Sequence, residues 1–289
     1  MVKKLVRNPI SMLGLILLIG FIAVAVLAPW IIPAPEQFKS EPYRIPRYGW
    51  DSTPTPPSKE HPMGLTQGQY DILYGVVWGT RTAFKVGLIV VGASCVIGIA
   101  IGSISAYIGG RTDEVVMRVV DIFMSFPFLI AAVVITCVLG KGLDKVMIAM
   151  VSFWWMGYAR LLRGNILQVK QEEYVLAARA AGASHIKIVL RHILPNTIFP
   201  VLIQASMNLG SVVVTASSLS FLGLGAPEGY ADWGQMVSFA RNWLLGDPGQ
   251  PLKYWYTVLY PGGAIVLFVL AWNLIGDAFR DILDPKIQA

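Results

Sequence analysis

Charge is the first thing this chain lacks. Only 14% of its 289 residues are Asp, Glu, Lys or Arg, while 55% are hydrophobic. Soluble domains carry about a quarter charged residues, so a water-soluble globular enzyme is excluded and a multi-span membrane protein is expected. Cysteine is nearly absent. Cys95 and Cys137 both fall inside apolar runs and are read as small core residues rather than a disulfide or metal pair. Histidine is scarce too. There are three, His61, His185 and His192; the last two are seven apart and could share a helix face, but no HExxH pattern or carboxylate accompanies them, so no metal site is expected there. No G-x-x-x-x-G-K-[ST] phosphate loop occurs. Gly140-Lys141-Gly142 lacks both the upstream glycine and a following Ser or Thr. A chain without that loop does not cradle ATP by that route, and any ATP that drives it binds elsewhere. The net charge of +6 is scattered, which argues against a nucleic-acid face.

Long apolar runs are what the chain does have. A bilayer core of about 30 Å takes about 20 residues of helix. Six runs qualify, near 10–32, 84–108, 119–140, 146–163, 197–222 and 257–276. Backbone groups find no water in lipid, so each should be helical. The expected fold class is therefore all-α, a polytopic protein with six transmembrane helices. A cleaved signal peptide competes for the first run, with Val26-Leu27-Ala28 as the cleavage site. The run is longer than the 7–15 residues of a signal core and ends at Pro29-Trp30, so a retained span is expected. The span middles hold no ionisable residue, whereas proton relays and voltage sensors need them. Lys85, Asp121 and Asp277 lie near span ends, as snorkelling or capping residues do.

With the N-terminus inside, inside segments hold 13 basic residues and the longer outside loops hold 9. The bias places both termini and the 160–196 loop in the cytoplasm. Three segments follow: 1–32, a tail and first span; 33–83, an extracytoplasmic loop with eight prolines; and 84–289, the remaining membrane core. The prolines exclude a long regular helix from 33–83, though Tyr70–Trp78 reads as a short amphipathic helix at the outer interface. Gly98-x-x-x-Gly102 permits close helix approach, and Pro127 and Pro200 should kink or end helices.

Residues 164–196 stand apart because they are polar, basic and helix-prone between two spans. Gln168–Ala181 is rich in strong helix formers, and Glu172 and Glu173 suit the positive end of a helix. Gly182 is placed to stop it, Ser184 to cap a second helix over His185–Leu194, and Pro195 to end that one. A membrane protein has no need of such a helix–turn–helix for its own stability. Its small residues invite another backbone to approach.

The pattern Ala177-Ala178-x-x-x-Gly182 followed by Leu194-Pro195 resembles the EAA coupling loop of ABC importer permeases. The chain as a whole resembles the second, C-type permease of the oligopeptide/dipeptide class. The carriers of that resemblance are His61-Pro62-Met63-Gly64 with Asp71, Gly110, Asp113, Met117-Arg118, Asp121 and Pro127, then Ser220-Phe221-Leu222-Gly223-Leu224-Gly225, Trp233-Gly234, Pro261-Gly262, Asn273–Asp277, Arg280-Asp281 and Asp284-Pro285. They cover 60–289, and the first span matches only in kind. Leu176 stands where the general family pattern has glutamate, His192 where isoleucine is frequent, and Leu65–Tyr70 departs from the usual outer segment.

The resemblance implies an importer subunit that is not itself an enzyme. It implies a homologous second permease, one or two ABC ATPase subunits carrying ATP and Mg, an extracytoplasmic substrate-binding protein, and a prokaryotic inner membrane. No cofactor on this chain and no nucleic-acid partner are expected. ATPase coupling would fall to Ala177, Ala178, Arg179, Gly182, Lys187, Arg191, Leu194 and Pro195, with Asp281 and Asp284 as further candidates. Short peptides are the implied cargo, and oligosaccharides or nickel are the alternatives. The outer aromatics Tyr43, Trp50, Trp233, Trp243, Tyr254, Trp255 and Tyr256 would suit sugars or an interfacial belt equally. A self-sufficient channel would need pore charges, and a membrane-embedded enzyme would need a paired acid, base or metal set. Neither is present in the span middles.

Overall fold

The computed structural model describes residues 8–283. Lys3, Lys4, Arg7, Asp284 and Pro285 lie outside the described residues. The first helix, α1 (Pro9–Ile31), is opened by Asn8, whose side chain accepts the Ile10 N–H at 3.0 Å. No strand forms among the described residues, only isolated bridges such as Arg44 with Tyr230.

α2 (Ile72–Ile108) runs for 37 residues, about 55 Å of helix. It begins a dozen residues before the apolar run expected at 84–108, because Asp71 caps it through the Tyr74 N–H at 2.8 Å. Tyr70–Trp78 is thus not a separate surface helix. Its Ile72, Tyr74 and Trp78 are buried as the first turns of α2. Arg81 and Lys85 interrupt the hydropathy without interrupting the helix; Arg81 lies over the Trp78 ring at 5.2 Å.

The expected third span is broken. α3 (Gly110–Met124) and α4 (Phe128–Leu139) meet at 86° around Pro127. Proline brings no N–H to the helix ladder there, and the Ser125 hydroxyl donates to the Ile122 carbonyl instead. α5 (Leu143–Val169) is long enough to span, yet only the 14 residues of 146–159 separate Lys145 from Arg160. Fourteen residues make about 21 Å of helix, short of a bilayer core. Four helices among the described residues are long and apolar enough to cross: α1, α2, α9 (Phe199–Phe221) and α11 (Tyr256–Leu283), with α3 and α4 as a fifth if taken together. The composition-based count of six is not reached.

α2 and α5 form the centre. A β-carbon on Gly98 would stand 2.6 Å from the Trp155 carbonyl, and one on Gly102 would stand 2.6 Å from that of Ala159. The Gly-x-x-x-Gly pair therefore serves packing inside this chain. Cys95 is buried beside it, but Cys137 is exposed on α4, which corrects its reading as a core residue.

A second core gathers the proline-rich segment onto the ends of the helices. Ile45 N–H donates to Gly229 O at 2.7 Å, and Ala231 N–H donates to Tyr43 O at 2.7 Å. The Tyr74 hydroxyl reaches Pro42 O at 2.7 Å, and the Trp78 indole reaches Ile32 O at 3.0 Å. Most of the outer aromatics are spent here. Tyr43 stacks on Tyr230, Trp233 donates to Val76 O, and Tyr254 and Tyr256 are buried. Trp50 and Trp255 remain exposed. His61 and Asp71, quoted together in sequence, meet at 2.9 Å.

Candidate coupling surface

After α5 the chain turns through residues 170–172 and enters α6 (Glu173–Ala180), later than the Gln168 start expected. Gly182 follows at φ +77, the left-handed conformation that glycine adopts at the end of a helix. The Ala183 N–H returns to Ala178 O at 3.1 Å and closes the helix end. Ser184 caps α7 (His185–Ile188), its hydroxyl accepting the Lys187 N–H at 3.4 Å.

The second helix does not end at Pro195. It widens into a π-helical turn, Val189–Ile193, and continues as α8 (Leu194–Thr197). An ordinary α turn would set the proline ring against the carbonyl four residues back. The wider turn relieves that contact and leaves no N–H missing from an α ladder. The turn also closes by the Leu194 N–H reaching five residues back to Val189 O.

Of the eight sequence-selected residues, Ala177, Arg179, Gly182, Lys187, Arg191 and Pro195 are exposed, and Ala178 is half-buried. Leu194 turns inward and packs on the main core. Nothing lies within 4 Å of the position a Gly182 side chain would take. Val175, Ile188 and Ile193 are fully buried and fasten the element from beneath. Sequence reasoning missed the outward apolar residues Tyr174, Ile186 and Leu190, and marked Leu176 only as a departure from the family pattern; all four are exposed. Ile186 is 73% exposed. They are the largest apolar groups on an otherwise polar element, and only their burial pattern sets them apart from the core residues beside them.

The attachment of the element was also missed. Lys170 donates to the carbonyls of Ala106 and Tyr107 at 3.1 and 3.2 Å, a cation at the negative end of α2. The Tyr107 hydroxyl pairs with His185 Nδ1 at 2.8 Å, so the same end of α2 touches α7. Arg163 on α5 grips Asp113 on α3 with two bonds of 2.7 and 2.6 Å, and Ser105 donates to the same carboxylate at 2.6 Å. Arg160 pairs with Asp121. The signal lay in two arginines at the end of a short apolar run, matched by two aspartates on α3. Asp113 had been noted only as part of a resemblance, and Asp121 also as a capping residue near a span end.

The element thus faces outward and is fastened to the end of α2 through Lys170 and His185. Residues 98–289 match the model of the binding-protein-dependent transport system inner membrane component. The chain belongs to that family. Residues 1–46 match the N-terminal TM domain of oligopeptide transport permease C. This extends the likeness to a segment whose motifs had matched only in kind. The permease is 33% identical over 287 residues to the dipeptide transport system permease protein DppC of Alkalihalophilus pseudofirmus, covering 99% of this chain and 89% of the relative. It is 30% identical to DppC of Bacillus subtilis, covering 99% and 85%. It is 33% identical to the glutathione transport system permease protein GsiD of Pectobacterium atrosepticum, covering 99% and 90%.

Proposed function

We propose that this permease is one half of the membrane channel of an ATP-driven importer of short peptides. The observation that carries the reading is the element 173–197. It is basic, small-surfaced and capped outward by Tyr174, Leu176, Ile186 and Leu190, while Lys170 and Tyr107 join it to the end of α2. Covering these four side chains with a partner protein would remove apolar surface from water.

The positive-inside bias supports both termini and this element facing the cytoplasm of a prokaryotic inner membrane. Two ABC ATPase subunits would bind there and hold the ATP and Mg, with no cofactor on this chain. Ala177 and Gly182 give room for the ATPase backbone, and Arg179, Lys187 and Arg191 supply complementary charge. Closure of the ATPases pushes the helix–turn–helix, and the spans rock between inward and outward access. A homologous second permease completes the channel, and an extracytoplasmic binding protein delivers cargo. Six crossings are reached if Lys145 and Arg160 snorkel from the two ends of α5 and the bent α3–α4 pair crosses once. Relatives described as dipeptide, peptide and glutathione permeases support peptide cargo.

The test is the assembled transporter in proteoliposomes with Ala177→Trp. Ala177 is exposed on a helix, so a bulky side chain there leaves the fold intact. Uptake and ATPase co-purification should both fall. Unchanged uptake with Ala177→Trp and with Gly182→Trp would sink the lever.

A further inference from the structure

The side opposite the coupling element holds a cleft of about 420 Å³ between the α4–α5 turn and the loop leading to α10 (Trp233–Ala240). Its size falls in the range of small-molecule sites, roughly 300–1,000 Å³. The two walls are tied by the Gly142 N–H donating to Leu224 O at 3.1 Å. Gln235 sits in it, buried. Its Nε2 donates to Ala226 O at 2.7 Å and Pro227 O at 2.8 Å, which fixes the amide. Its Oε1 is then buried with no hydrogen-bond partner among the described residues. A buried acceptor without a donor is costly, and a ligand N–H reaching it would recover that cost. Ser238, also in the cleft, is satisfied by Phe221 O at 3.0 Å.

Two charges of opposite sign border the same cleft. Lys141 comes from the α4–α5 turn and Glu228 from the loop before α10. Neither has an ion-pair partner among the described residues. Glu228 is steadied by the Tyr70 hydroxyl, which donates to its Oε1 at 3.2 Å. Glu228 also borders a second, larger groove of about 610 Å³, where Tyr43, Arg44 and Tyr230 form the other side. One carboxylate thus faces both an outer groove and an inner cleft.

A cation site, an anion site and an unused amide acceptor suit one ligand chemistry: a short peptide with free ends. We infer that this cleft is a substrate site on the permease itself. Glu228 receives the peptide ammonium, Lys141 its carboxylate, and Gln235 Oε1 a backbone N–H. The inference rests on the peptide-importer reading and adds that the permease reads peptide ends after delivery. The rest of the lining, Ala226, Pro227 and Phe239 among it, is small or apolar and offers no further charge to a peptide side chain.

The experiment uses the complete transporter, both permeases with their ATPases, in nanodiscs without the binding protein. Ligand-observed NMR titrations compare Ala-Ala, N-acetyl-Ala-Ala and Ala-Ala amide on wild type, Glu228→Gln and Lys141→Met. Both side chains are exposed, so the variants keep the fold, checked by gel filtration. Losing one charge-assisted contact should weaken Ala-Ala by roughly tenfold. Glu228→Gln should leave N-acetyl-Ala-Ala as it was, and Lys141→Met should leave the amide as it was. Equal binding of all three probes by wild type, or equal losses for all three in either variant, overturns the inference. ATP-driven uptake of Ala-Ala by the wild-type transporter with its binding protein is measured alongside. If uptake occurs and the end-selective pattern does not, the peptide reading stands and the cleft assignment falls. If no peptide is moved, both fall.

Discussion

Replacing Gly102 with alanine tests the centre of the fold. The added β-carbon would lie 2.6 Å from Ala159 O and 3.0 Å from Ala159 Cα, whereas ordinary contacts begin at 3.4 Å. Both opposing atoms are backbone, so no side chain can swing away. α2 and α5 must separate by about 0.8 Å, and a gap of that size forfeits a quarter to a half of each opposing dispersion contact. Overpacking of this kind costs about 1–3 kcal/mol. Alanine also favours the helix by up to ~1 kcal/mol over glycine, which masks part of the cost. Gly92 provides the control, since it lies on the same helix with nothing within 4 Å of its would-be β-carbon. Gly92→Ala carries the same helix preference without the clash. The difference between the two variants therefore isolates the packing cost. At about 2 °C per kcal/mol it amounts to ~2–6 °C in the melting point of the detergent-solubilised protein. Gly102→Ala melting with or above Gly92→Ala would refute the close approach of α2 and α5.

Arg163→Met leaves the largely buried Asp113 with only Ser105, and should cost about 2–3 kcal/mol. Adding Asp113→Asn should recover most of that, read as a double-mutant cycle of melting points. Lys170→Met uncovers two carbonyls at the end of α2 and should cost less than ~1 kcal/mol, because the lysine is only half-buried. Its larger effect should be on uptake per ATP hydrolysed, and an unchanged ratio would dismiss the clamp. Asp232 caps α10 through the Gln235 N–H at 2.8 Å, and burial pushes its carboxyl above the usual range. The folded state then holds that proton more tightly than the unfolded chain, so this group's contribution is most favourable in acid and worsens as pH rises through the folded value. Asp232→Asn keeps the cap. It should melt above wild type at neutral pH, with the gap closing as pH falls; a gap independent of pH would exclude the carboxyl as its source.

Helix content and the order of apolar elements were legible because hydropathy is a property of each residue. So were the stops at Pro127 and Gly182, where backbone chemistry acts locally. The start of α2 was not legible, because Arg81 and Lys85 lower the hydropathy while Asp71 still caps the helix. The shortness of the apolar part of α5 was legible, because Lys145 and Arg160 bound it in sequence; that the helix itself continues past both charges to Val169 was not. In the coupling element the exposed alanines and cations could be picked out by residue type. Leu194 could not be assigned a direction, because the π turn rotates it inward. The Lys170 and Arg163 contacts join residues 50 or more apart in sequence, and spacing alone does not reveal such pairs.

The π turn sets an azimuth. Ile188 and Ile193 are five residues apart and both fully buried. On an unbroken α-helix they would point about 140° apart, and one would face outward. The single wide turn brings both under the element while Lys187 and Arg191 stay outside. One residue removed between 189 and 193 would swing everything upstream by about 100° relative to α9. The direction in which this protein presents its surface is therefore encoded by a residue count.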